Sequence, residues 1–294
     1  MPAIRISRRS LPIASGLTVQ QEAEVSGVGL HSGEEVIVRL VPRPEEPGIV
    51  FRRLDLSGSP EVSVAPGCAE PTGWCTTLRG GDTVIRTPEH LLATLSALGL
   101  TSVTVELTGA ELPILDGSAL AYVDLVHEAG TQPAVAGPPE LVVREWHWVD
   151  NGEAHVLACP APEFRVTYGV DYRKPLAPKQ VYEGCPRGQV FAEQVAPART
   201  FALAEWIDGL RQQGMAAGGS LDNAVVIWED RLSAELRFPD EFVRHKVLDL
   251  LGDLAVLGRP VRAHLFALKS SHALNARLVD SLRREKDQKD QEDR

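Results

Sequence analysis

Cysteine is scarce, with only 4 in 294 residues. Cys68, Cys75, Cys159 and Cys185 form no C-x-x-C pair, which argues against a zinc ribbon, a thioredoxin-like site or a disulfide scaffold. A reducing compartment is expected. Long apolar runs are missing too. No stretch approaches the ~20 apolar residues of a spanning helix. The run after Arg5, Arg8 and Arg9 is too short and broken for a signal segment. The expectation is a soluble, cytoplasmic protein. Basic excess is also absent: Lys+Arg number 30 against Asp+Glu 40, a formal net charge of -10. That argues against generic nucleic-acid binding, which needs a basic surface. It leaves room for a local pocket that holds a phosphorylated small molecule. No short-period repeat is found.

What is present is the material of a real core. Hydrophobic residues make up 44%, and the length suits one large domain or two of ordinary size. Strand-like patterning marks EVIVRLVP (35–42), TSVTVELTG (101–109) and FRVTYGVDY (164–172). Between the first two lies a predicted helix that Thr87 caps and Pro88 opens, with Leu91, Leu92, Leu95 and Leu98 as its apolar stripe. A second helix follows Ser118 and stops at Gly130. The Pro- and Gly-rich stretch GTQPAVAGPPE (130–140) is the best candidate linker. Beyond it, helices are predicted from about Phe201 to Gly214 and from about Asp240 to Gly258, the latter the longest. The end, RREKDQKDQEDR, reads as a charged, disordered tail. The expected fold is α+β in two parts, residues 1–134 and 135–280, with the tail at 281–294. Their shared plan of strands plus helices suggests structural repeats.

The chemistry concentrates in DEFVRHKVLDLLGDL (240–254). His245, Asp249 and Asp253 are spaced by four, which places them on one helical face. An imidazole and a carboxylate at this spacing can share a zinc ion, although such a pair is more often an exposed helical ion pair. The helix is otherwise rich in Val and Leu, so polar groups on it need partners. His90, in TPEHLL, offers a third ligand from the other half. His, His, Asp with an open fourth position is a catalytic zinc arrangement; iron(II) also fits such donors. Glu89 can then act as general base, its bland reading being an acid favoured by the helix dipole. His272, in KSSHALN, is the candidate proton donor, and Asp253 the candidate acidic neighbour. His31, in GVGLHSG, has a mild functional claim. Taken alone, Thr200 reads as a helix cap, Phe201 as core, Cys75 as a buried thiol, and Lys246 and Lys269 as solvated surface.

Together these segments resemble the bacterial UDP-3-O-acyl-N-acetylglucosamine deacetylases. The matching stretches are GVGLHSG (27–33), TPEHLLATLSALG (87–99), ELPILDGSA (111–119), ARTFAL (198–203), GGSLDNAVV (218–226), RFPDEFVRHKVLDLLGDL (237–254) and KSSHALN (269–275). They occur in the family's order and span nearly the whole chain. The resemblance implies two similar α+β domains, each a small sheet against helices, with the active site between them and an insert in each. The second insert, expected near 160–190, would form a passage for an acyl chain.

It also implies roles. His90, His245 and Asp249 would hold one Zn2+ per chain, and Glu89 would serve the attacking water. His272, tuned by Asp253, would be proton donor or electrostatic stabiliser. Thr200 would help polarise the scissile carbonyl. Phe201 would meet the sugar, Lys246 and Lys269 the diphosphate, and Cys75 would lie near the metal. The implied activity is hydrolysis of the N-acetyl group of UDP-3-O-(3-hydroxyacyl)-N-acetylglucosamine, an early step of lipid A biosynthesis, by a monomer acting on an acylated nucleotide sugar. Two departures stand out. The family commonly reads K-S-G-H where this chain has Ser271, and 172–188 offers few matches. A zinc deacylase of another nucleotide sugar or glycolipid, or a non-catalytic relative, are the competing readings.

Overall fold

A computed structural model describes residues 16–70 and 73–292. The basic residues Arg5, Arg8 and Arg9, and residues 293–294 of the expected tail, lie outside the described residues. Two five-stranded sheets carry the fold. In the first, the spatial order is Ala23–Val28, Glu35–Pro42, Ser102–Leu107, Gly48–Arg53 and Glu61–Ser63. In the second it is His147–Asp150, His155–Cys159, His264–Leu268, Arg165–Val170 and Gln180–Gly184. In both, the last strand in the chain enters the centre, antiparallel to the second strand and parallel to the third. The halves are therefore structural repeats of one topology.

Helices follow the same plan. In the first repeat, α1 (Glu89–Ala97) precedes the central strand and α2 (Leu120–Ala129) follows it. In the second, α3 (Gln189–Gln194) and α4 (Ala204–Gln212) come first; α5 (Glu241–Ala255) then precedes the central strand and α6 (His272–Glu292) follows it. α1 and α5 pack directly on each other. Leu91, Leu92 and Leu95 of α1 join the first core, whereas its Ala93 and Ala97 join the second. From α5, Leu248 and Leu251 fill the second core and Ala255 the first. A helix buried on this much of its circumference needs apolar residues nearly all round, hence the Val and Leu of α5. Gly252 sits at the crossing, where an added Cβ would lie 2.2 Å from the Glu89 carbonyl oxygen.

Each repeat carries an extra element before its buried helix. In the first it is a three-stranded sheet of Ala69–Glu70, Thr77–Gly80 and Thr83–Arg86. In the second it is a parallel pair, Phe201–Leu203 with Val225–Ile227, and α4 lies between the two strands in the chain. The insert expected near 160–190 is not a separate element there, because Arg165–Val170 and Gln180–Gly184 are strands of the main sheet.

Other local expectations also shift. Thr87 does not cap α1; its φ is +55° and its hydroxyl donates to Glu111 Oε1 at 3.2 Å. Phe201 is a strand residue rather than the start of a helix, because it pairs with Val225. Part of the expected linker, Thr131–Ala134, pairs with Gly16–Val19. α6 is the longest helix, and it continues past residue 281 with Leu282 wholly buried, so packed structure outlasts the expected start of the tail. Among the described residues, no helix is long and apolar enough to cross a membrane.

Candidate metal centre and active site

The α1–α5 crossing brings polar side chains into an apolar interior. Glu89 and His90 open α1, and His245, Asp249 and Asp253 occupy successive turns of α5. All five are buried. Among the described residues, His90, His245 and Asp249 each offer a ligand atom, and these atoms lie within 4.8 Å of one another. Asp249 Oδ1 is 3.4 Å from His245 Nε2 and 3.9 Å from His90 Nε2. The two imidazoles meet edge to face, with centroids 5.2 Å apart.

The surroundings prepare these groups to be ligands. His245 Nδ1–H donates to the Ala198 carbonyl at 3.1 Å, a tautomer that leaves the Nε2 lone pair facing the cluster. His90 has a backbone hydrogen bond to Ser118. Lys246 Nζ donates to Asp249 Oδ2 at 2.7 Å, occupying one carboxylate oxygen and leaving Oδ1 toward the histidines. Burial, reinforced by His245, pushes the His90 pKa down to about 3, and burial lowers His245 too. For Asp249, burial favours the neutral acid, but Lys246 and then the three histidines outweigh it and hold the pKa well below the carboxylate range. Neutral imidazoles and an ionised carboxylate are the forms that bind a metal. Two nitrogens and one carboxylate oxygen, with a side left open to a cavity, fit zinc.

A second pair flanks this cluster. Burial pushes the Glu89 pKa up to about 8; His272 opposes the rise, while Asp253 and Asp249 add to it. His272 moves to about 9, because Asp253 overcomes the opposing effect of burial. The His272 Nδ1–H donates to Asp253, at 2.9 Å from Oδ2 and 3.0 Å from Oδ1. Its Nε2 is 3.9 Å from Asp249 Oδ2. A carboxyl and an imidazole thus share one face of the cluster, each able to carry a proton near neutral pH.

These groups line a cavity of about 440 Å³. Trp74, Tyr172, Phe201, Trp206 and Leu210 are among the apolar residues that line it. Thr200 lines it, positioned by its N–H donating to the Gly117 carbonyl at 2.7 Å. Phe201 packs at 4.8 Å on Phe242 and 5.3 Å on Tyr172. Lys246 and Lys269 both line the cavity, but Lys246 is turned to Asp249. Cys75 is buried beside Trp74, and the indole rather than the thiol is on the cavity wall. Ser271 fits where the family has glycine because the positive φ of this turn, +52°, falls at Lys269 instead.

Several contributors had no role assigned from the sequence, although Glu111 and Asn275 lie within the matching stretches 111–119 and 269–275. Thr76 and Asn275 hold Asp253, and Glu111 accepts the backbone N–H groups of His31 and Ser32 at 2.8 and 2.7 Å, fixing the GLHSG turn on the cavity wall. Trp74, Tyr172 and Trp206 lie in segments with no motif, and only an apolar passage in search of a wall would have pointed to them.

The family model for UDP-3-O-acyl N-acetylglycosamine deacetylase matches residues 17–284. A UDP-3-O-acyl-N-acetylglucosamine deacetylase of Thermosynechococcus vestitus is 42% identical over 269 residues, covering 90% of this chain and 93% of the relative. One from Anaeromyxobacter sp. is 43% identical over 264 residues, covering 89% and 86%. Another, from Leptospira biflexa, is 36% identical over 264 residues, covering 89% and 87%. With a match this long and relatives this similar, the chain belongs to the UDP-3-O-acyl N-acetylglycosamine deacetylase family.

Proposed function

We propose that this chain hydrolyses the acetamide of UDP-3-O-(3-hydroxyacyl)-N-acetylglucosamine, releasing acetate and leaving a free amine on the sugar, an early committed step of lipid A biosynthesis. The observation that carries the reading is the convergence of His90, His245 and Asp249 with Glu89 and His272 in the lining of one cavity, together with aromatic and apolar side chains. The reading treats 1–134 and 135–280 as two domains that meet at this site, in a monomer acting in the cytoplasm.

His90, His245 and Asp249 would hold one zinc ion, which when bound polarises a carbonyl and acidifies water. Glu89 takes the proton of the attacking water as general base. The Thr200 hydroxyl donates to the carbonyl oxygen as it gains charge. His272 keeps its Nδ1 proton on Asp253 and gives its Nε2 proton to the departing amine nitrogen. Lys246 holds Asp249 ionised. Lys269 meets the diphosphate, Phe201 the sugar, and the Trp206–Leu210 side of the cavity takes the 3-O-acyl chain. Cys75, next to Trp74 in the chain, would lie near the metal.

The test is acetate release from the acylated nucleotide sugar by the purified protein, run with stoichiometric zinc, with chelator, and with Glu89→Ala. Turnover that requires both metal and Glu89 supports the reading. A folded, zinc-loaded protein that releases no acetate overturns it.

A further inference from the structure

We propose that Thr76 is a positioning residue that locks the proton-accepting and proton-donating sides of the site to each other. It rests on the reading above for Glu89 and His272. Thr76 is buried, outside the cavity lining, and directly precedes the strand Thr77–Gly80 of the first repeat's extra sheet. Its carbonyl accepts the Thr87 N–H at 3.0 Å, which ties its backbone to the turn that leads into α1. Its N–H donates to Glu89 Oε2 at 3.2 Å. Its hydroxyl donates to Asp253 Oδ1 and lies 3.5 Å from His272 Nδ1. One neutral residue therefore gives one donor to each of two buried carboxylates, which belong to different repeats.

Those carboxylates repel each other across the α1–α5 crossing. A donor bonded to each offsets that repulsion and fixes how far apart they stand. Asp253 becomes fully engaged: Thr76 and His272 hold Oδ1, while His272 and Asn275 Nδ2, at 2.8 Å, hold Oδ2. Asn275 is in turn fixed by the Ser270 hydroxyl at 2.5 Å. With both oxygens held, the Asp253 carboxylate cannot rotate, and the His272 ring bonded to it keeps Nε2 toward the cavity. Without the Thr76 hydroxyl, Asp253 keeps only its His272 and Asn275 bonds, and the ring can follow a rotating carboxylate. Thr76 touches neither substrate space nor ligand atoms, so it acts through Glu89 and Asp253.

The experiment compares zinc-loaded Thr76→Val and Thr76→Ser. The valine keeps shape and backbone N–H but has no hydroxyl; the serine keeps both donors. Loss of an outer-shell hydrogen bond of this kind lowers kcat by about 10- to 100-fold, with KM and zinc content unchanged and the serine variant within about threefold of wild type. Independently of any substrate, the downfield NMR resonance of the His272 Nδ1 proton should move or broaden in Thr76→Val and persist in Thr76→Ser. In an Asp253→Asn background, Thr76→Val should cost little more. Valine with wild-type kcat and an unmoved resonance overturns the proposal. So do equal losses in both variants, which indicate packing alone. If the wild type itself releases no acetate, the functional reading fails, and the resonance still tests Thr76. If the valine variant does not fold, the serine variant's resonance and kcat decide: loss of either overturns the proposal.

Discussion

The two repeats share a topology and differ in what they expose and what they supply. Across the outer face of the first sheet, one row reads Glu24, Arg39, Glu106, Arg52, Glu61, one residue from each strand in register. These form a continuous ladder of alternating charge, with contacts between 2.7 and 3.8 Å. A row across the second sheet reads Trp148, Leu157, Phe266, Thr167, Glu183. Trp148 is 58% exposed there and Phe266 36%. Inside, the division of labour is also uneven. The first repeat sends one candidate ligand and the candidate base from the first turn of α1; the second sends two ligands and the imidazole's carboxylate partner from α5, and the imidazole from the start of α6. Backbone topology places a buried helix in both repeats, but side chains alone decide which one carries which charge.

The comparison breaks most severely at the metal cluster. Removing a ligand from either repeat, as His90→Ala or Asp249→Ala, should abolish stoichiometric zinc binding as read by elemental analysis. Loss from only one of the two would show that the repeats do not share the ion. Glu89→Gln should keep zinc yet lower kcat by about 10²- to 10⁴-fold, the usual contribution of a positioned base.

The helix crossing is the next point of attack. Gly252→Ala puts a Cβ 2.2 Å from the Glu89 carbonyl oxygen. It should destabilise by about 1–3 kcal/mol in denaturant unfolding, as overpacking does. Because α1 must move, deacetylation should fall with it. Unchanged stability and activity would mean that the crossing is loose.

The acid–base pair sharpens the comparison through pH. Glu89 must be ionised to accept a proton, so activity falls as pH drops through its pKa, pushed up to about 8 and drawn lower by any bound cation. His272 must be protonated to donate, so activity falls as pH rises through about 9. Asp253→Asn removes the carboxylate that raises His272, and the alkaline limb should move toward lower pH. An alkaline limb that stays put would assign it to another group.

The smallest effects are expected on the outer faces. Arg52→Ala interrupts the ladder at a partly exposed site, where ion pairs contribute about 0.2–1 kcal/mol and are screened by salt. Trp148→Ser, on the edge strand of the second sheet's outer row, should change stability by no more than about 0.5 kcal/mol. A larger loss at Trp148 than at Arg52 would show that the second face is structurally committed.

The spacing of His245, Asp249 and Asp253 was legible because an α-helix returns to the same face about every four residues. The strand Ser102–Leu107 was legible from its alternation and α2 from its apolar positions. Phe201 was misread because its strand exists only through pairing with Val225–Ile227, and local pattern does not report a partner so distant in sequence. Thr87 carried a good capping pattern, yet its hydroxyl went to Glu111. The meeting of His272 with Asp253, and of Thr76 with both sides of the site, joins segments that no periodicity connects.

The sequence by itself determined the residue types of a metal-dependent hydrolysis, the one-face arrangement on α5 and the two-part α+β plan, because helical and strand periods are local properties of the chain. Only the tertiary structure decided that α1 and α5 cross at Gly252, that Lys246 turns to Asp249, and that residues of 200–226 join Trp74 and Tyr172 in the cavity wall. These outcomes depend on packing two repeats against each other, where close approach and burial select among contacts that the local sequence leaves equally open.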